Sequence, residues 1–186
     1  MANAFYYASN FRSNGDADTA PTKFYGSAPR LQPGQAGFFD VVVPAPAAVL
    51  ATSDKVYLAR MPGGHLPLKV ELDLDGDLDT GANTLAVKIG SDADDDLVVA
   101  GAVIGNGDRH YEFPTNTAGG SAYGDTTSAK AMRTTAAPAD DYNLIMIPTV
   151  AATTGSTGTT YARIWYGVAA TVLNDSDGPV AVEGTQ

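Results

Sequence analysis

The densest store of potential chemistry in the chain is Glu71-Leu72-Asp73-Leu74-Asp75-Gly76-Asp77-Leu78-Asp79-Thr80-Gly81, with a carboxylate at every second position. Hard oxygen ligands in alternation are what calcium prefers. Set as a calcium loop of the EF-hand type beginning at Glu71, the run places acids at the ligand positions and Gly76 at the sharp turn. Ala82 then stands where that loop requires a bidentate Glu, and the flanks are patterned as strands, so an EF-hand is not expected. Asp73, Asp75, Asp77 and Asp79 remain the candidate calcium ligands. The plainer reading is a strand with its acidic face in water, closed by an Asp-rich turn; like charges along one face repel and invite a screening cation without requiring one. Asp92, Asp94, Asp95 and Asp96 read as a second, solvated acidic turn.

Other chemistries find less support. The chain has no cysteine, which removes disulfides, thiolate metal sites and cysteine nucleophiles. Its two histidines, His65 and His110, sit beside turn signals without a second His at metal-ligand spacing. His65, following Gly63-Gly64, is expected to be an exposed turn residue. Gly119-Gly120-Ser121-Ala122-Tyr123 has the wrong offsets for a nucleophile elbow, although a Ser-His-Asp triad is geometric and composition alone does not exclude it. The glycines of Gly101–Gly107 precede no helical pattern that would present a dipole to phosphate. The acids stand in runs rather than as the paired carboxylates of glycoside hydrolysis. Trp165 is the sole tryptophan; in a strand it shares a face with Arg163, opposite Ile164 and Tyr166, as a core or sheet-surface aromatic. The expectation is a non-enzymatic protein.

The elements that carry these residues have a period of two. In Leu68–Asp75, Leu68, Val70, Leu72 and Leu74 fall on one face and Lys69, Glu71, Asp73 and Asp75 on the other. Val56–Arg60 also alternates. Phe38–Val43, Thr84–Ile89, Leu97–Ile104, His110–Pro114, Tyr142–Thr149 and Tyr161–Leu173 complete eight strand candidates, separated by Gly, Pro, Asn and Asp clusters. Ala45–Thr52 and Thr127–Thr135 have room for no more than a helical turn or two. Eight short strands with turn signals between them predict an all-β fold, a β-sandwich or jelly-roll-like single domain with an extended N-terminal arm.

A chain of 186 residues fits one domain with an arm. The predicted divisions are an arm over 1–35, a β-sandwich over 36–173 and a polar tail over 174–186. The arm holds Phe5, Tyr6, Tyr7, Phe11, Phe24 and Tyr25 among polar residues, large anchors that gain from burial against this domain or a partner. Nine acids against Lys88 between Glu71 and Asp96 supply −8 of the net −10. Without a basic footprint, neither nucleic acid nor an anionic membrane is an expected partner. The longest apolar stretch, Val41–Ala51, is broken by Pro44 and Pro46, short of the roughly 20 residues of a membrane span. The N-terminus lacks the order of a signal peptide, so a soluble protein made in the cytoplasm is expected.

Residues 56–90 resemble a pattern in small head proteins of tailed bacteriophages. A strand (Val56–Arg60) enters the Pro62-Gly63-Gly64 turn, a second strand (Leu68–Asp75) enters Asp77-Leu78-Asp79-Thr80-Gly81, and the alternating Thr84–Gly90 follows. The resemblance is to capsid decoration, or cement, proteins. It implies a virion protein on the outer surface of the mature capsid, with the major capsid protein as partner, stabilising the shell and forming homo-oligomers, trimers foremost. No cofactor is implied. The candidate capsid-binding residues are Phe5, Tyr6, Tyr7 and Phe11 as anchors, with Arg12 as a charged clamp. Two alternatives stay open: a tail, neck or head-fibre component, and a calcium-dependent carbohydrate-binding β-sandwich.

Overall fold

Apolar residues at every second position build strands that cover each other's inner faces. A computed structural model describes residues 29–32, 35–43, 49–81, 84–104, 110–114, 138–155 and 158–168, together with the backbone of 5–7, 11–12 and 23–24. In chain order the strands are β1 (Phe5–Tyr7), β2 (Phe11–Arg12), β3 (Lys23–Phe24), β4 (Ala36–Val43), β5 (Lys55–Met61), β6 (His65–Leu74), β7 (Ala86–Ser91), β8 (Val99–Val103), β9 (His110–Pro114), β10 (Tyr142–Val150) and β11 (Thr160–Val168). No described residue is helical; Ala51 and Asp54 close a tight turn, and of the two stretches with room for a helical turn, residues 45–48 and Thr127–Thr135 lie outside the described residues.

The last eight strands form two packed sheets. One has the order β4-β11-β6-β9 and is antiparallel throughout. The other runs β5-β10-β7-β8, also antiparallel, and β1 extends it by pairing parallel with β5. This interleaving, with β4, β6, β9 and β11 in one sheet and β5, β7, β8 and β10 in the other, is a jelly roll. The fold is an all-β sandwich in a single domain. β2 and β3 pair separately as a short ribbon.

Register explains the core. In the four-stranded sheet, Val41, Ala162 and Leu72 lie side by side, as do Ile164, Val70 and Phe113, and all six are buried. They meet Val56, Val87, Ile89, Leu144 and Met146 from the other sheet in one cluster. Truncating such a side chain to Ala costs about 2–5 kcal/mol.

Three departures from the sequence pattern have physical causes. A bulge opposite Trp165/Tyr166 skips Leu68, leaving it half-buried instead of in the core. β5 buries Val56, Tyr57, Leu58 and Ala59 in succession, so its alternation does not mark a half-exposed strand. His65 is not an exposed turn residue; it is 4% exposed. Its Nδ1–H donates to the Gly63 carbonyl (3.0 Å) and its Nε2 accepts the Leu31 N–H (2.8 Å), which defines a neutral ring with its proton on Nδ1. The turn leading into it takes Gly64 at φ 75°, where a Cβ would be strained.

Candidate interaction surface

The outward face of the β4-β11-β6-β9 sheet sets aromatic and ionic side chains in three rows across the strands. The first is Phe38–Trp165–Lys69, the second Asp40–Arg163–Glu71–Glu112, and the third Val42–Tyr161–Asp73–His110. Alternation places them there: each is the outward partner of an inward core residue one step along its strand.

Arg163 anchors the middle row. Its Nε and Nη2 donate to Asp40 Oδ1 and Oδ2 at 2.7 and 3.0 Å, and its guanidinium lies 4.9 Å over the Phe38 ring. The fork geometry holds the Asp40 carboxyl below its ordinary pKa and raises that of Arg163. Phe38 in turn meets Trp165 at 4.8 Å between ring centroids. Lys69 pairs closely with Glu71, reaches Glu112 at 3.6 Å and sits 5.5 Å over Trp165. Its ammonium keeps two carboxylates that face each other across β6 and β9 from repelling; the Glu71 pKa is lowered and that of Lys69 raised. His110 presents Nδ1 to Asp73 at 2.6 Å and Nε2 to Glu112 at 3.5 Å. Both partners only accept, so the imidazolium is favoured and the His110 pKa rises, chiefly through Asp73.

Phe38 and Tyr161 stay about half exposed on this face. Beside Tyr161 a shallow groove is lined by Asp40, Val41, Val42, Asp73, Ala162 and Arg163. Half-exposed aromatics beside paired charges are the mix of side chains that protein interfaces favour. Sequence reasoning placed Trp165 and Arg163 together on one strand face, as found. It missed the pairing of Arg163 with Asp40 and of His110 with Asp73, which join residues 123 and 37 positions apart and leave no local signal.

The four candidate calcium ligands are divided by the structure. Asp79 is fully buried, and its carboxylate accepts from the N–H groups of Gly81, Thr84, Thr153 and Thr154 and from the Thr153 and Thr154 hydroxyls. Burial alone would raise its pKa; the donors from Thr153, Thr84 and Gly81 overcome that and hold it well below the usual carboxylate range. Asp79 thereby brackets the β6–β7 loop to the β10–β11 loop. Asp73 is engaged with His110, while Asp75 is exposed and Asp77 half-buried. Among the described residues, no three or more acids or histidines are grouped so as to hold a metal ion. In the second acidic turn, Asp95 pairs with Lys88, Asp92 accepts from Asn143 at 2.9 Å, and the Ser91 hydroxyl caps the Asp94 N–H at 2.9 Å. Burial, reinforced by neighbouring Asp96, raises the Asp94 pKa.

The backbone of Phe5, Tyr6 and Tyr7 forms β1, in register with Lys55, Val56 and Tyr57, and that of Phe11 and Arg12 forms β2. Their side chains lie outside the described residues.

No family model and no curated protein matches the sequence. Among solved structures, a chain from the capsid of Ralstonia phage GP4 shares the fold, with a TM-score of 0.54 and 21% identity over 78% of this chain and 92% of that one. A chain of the cyanophage Pam1 capsid asymmetric unit aligns at a TM-score of 0.48 and 16% identity, covering 75% and 92% of the two chains. A chain of the acidic stable capsid of Helicobacter pylori bacteriophage KHP30 aligns at 0.44 and 12%, covering 73% and 89%.

Proposed function

We propose that the chain is a non-enzymatic structural protein of a tailed-phage virion, one that decorates the outside of the mature capsid and stabilises the shell. The observation that carries this reading is the jelly roll itself, which matches 92% of the length of a chain from the Ralstonia phage GP4 capsid. Its partner is the major capsid protein, and it acts as a homo-oligomer, so that weak contacts repeated over a lattice sum to stable attachment. The shell contact combines the N-terminal anchors Phe5, Tyr6, Tyr7, Phe11 and Arg12 with the aromatic and ionic rows of the four-stranded sheet.

Co-sedimentation with expanded, undecorated shells of the same phage, titrated to saturation, tests the reading. Binding that saturates at a fixed ratio to capsomers supports decoration. Absence of binding to intact shells would sink it and move the protein to the tail, neck or head fibres. Removing residues 2–12 is expected to weaken shell binding, and unchanged binding would acquit those anchors.

A further inference from the structure

His65 is a buried imidazole with both ring nitrogens committed, and one of them must be unprotonated. Nε2 accepts the backbone N–H of Leu31 at 2.8 Å, and Nδ1 donates to the Gly63 carbonyl at 3.0 Å. A protonated ring has no acceptor left. It would set an N–H against the Leu31 N–H inside a site that water reaches poorly, where an unmade bond is most costly.

The Leu31 contact is one of three clasps that hold residues 29–32 against the sandwich. Tyr166 donates its hydroxyl to the Pro29 carbonyl at 2.8 Å, and Arg30 pairs with Asp141 at 2.9 Å. Asp141 also accepts the Gly63 N–H at 2.9 Å, and the Tyr142 hydroxyl donates to the His65 carbonyl at 2.9 Å. The groups facing His65 are therefore the neutral phenols Tyr166 and Tyr142, whose pKa values burial raises, and the Arg30–Asp141 pair beside Gly63. Neither phenol takes up a proton as the solution is acidified, and the Arg30–Asp141 clasp is a surface pair of modest strength. His65 alone among these groups turns from acceptor to donor toward Leu31 when it takes up a proton.

We propose that His65 is an acid-released latch: its neutral ring holds residues 29–32 on the body, and protonation frees that segment while the jelly roll stays folded. The device does not depend on shell binding. If the protein does bind a shell, the freed segment lies in sequence between the N-terminal anchors and β4.

Amide hydrogen exchange on the full chain, corrected for intrinsic rates at about pH 8 and about pH 5, reads the latch directly. The Leu31 amide is expected to lose about tenfold or more of its protection on acidification, while Ile164 in β11 keeps its own. In His65→Gln, whose side-chain oxygen can accept from Leu31 but does not titrate, Leu31 protection should no longer depend on pH. In His65→Leu it should be low at both values. Leu31 protection that is unchanged by pH in the natural protein, or that falls together with Ile164, would overturn the latch. So would a His65→Gln variant that keeps the full pH response. Because the readout is exchange in free protein, its failure is distinguishable from a failure to bind shells.

Discussion

Asp79 has no water-accessible surface and remains a carboxylate, because donors from two loops converge on it. A carboxyl whose folded pKa lies below its unfolded value adds stability at every pH above the unfolded value and loses it as the pH falls. Asp79→Asn is expected to cost about 2–4 kcal/mol near neutrality and to flatten the acid limb of the stability curve, as urea midpoints across pH would show. His110 works in the opposite sense. Its raised pKa adds stability below the unfolded value, lost as the pH rises through the folded one. Since the pair is exposed, the direct measurement is an NMR titration: His110 should titrate above the ordinary histidine value, and Asp73→Asn should bring it down. Nothing in the sequence separates Asp79 from Asp77, two residues apart in one run. What distinguishes them is Thr153 and Thr154, more than seventy positions away. His65 was misjudged for the same reason: its turn is legible locally, but the Leu31 amide that buries it is not.

All eight jelly-roll strands were legible from alternation and turn residues, and the ends of β9 match residue for residue. Period two survives because the inward row of each strand must be apolar and the outward row need not be. It fails where a strand bulges, as at Leu68, or is covered on both faces, as in β5. Loops also constrain by close approach. A Cβ on Gly158 would lie 2.5 Å from the Asp75 carbonyl oxygen, with backbone on every near side, whereas one on Gly101 would meet nothing within 4 Å. Gly158→Ala should therefore lose about 1–3 kcal/mol, and Gly101→Ala should be neutral or slightly stabilising. Equal losses in the two variants, measured by chemical denaturation, would contradict the loop packing described for β6–β7 and β10–β11.

Strand order across the two sheets was not derivable from sequence, because pairing partners are chosen by faces meeting in three dimensions and not by neighbouring residues. Only the structure sets β11 between β4 and β6, and with it the three rows that make the outer face. The calcium alternative is tested at this level too. With Asp79 supplied by protein donors and Asp73 by His110, the melting midpoint at low ionic strength should be the same with and without EDTA. A fall on adding EDTA would restore a native cation site. The Asp79 bracket has a consequence in time as well. Its Thr153 and Thr154 partners reach it only after the β10–β11 connection is in place, across 74 and 75 positions of chain. A bracket between two loops that needs both sheets in place is expected to close after the folding barrier. Asp79→Asn should leave the refolding rate almost untouched and speed unfolding instead. Asp79 thus acts as a brake on coming apart, setting how long a molecule once folded persists.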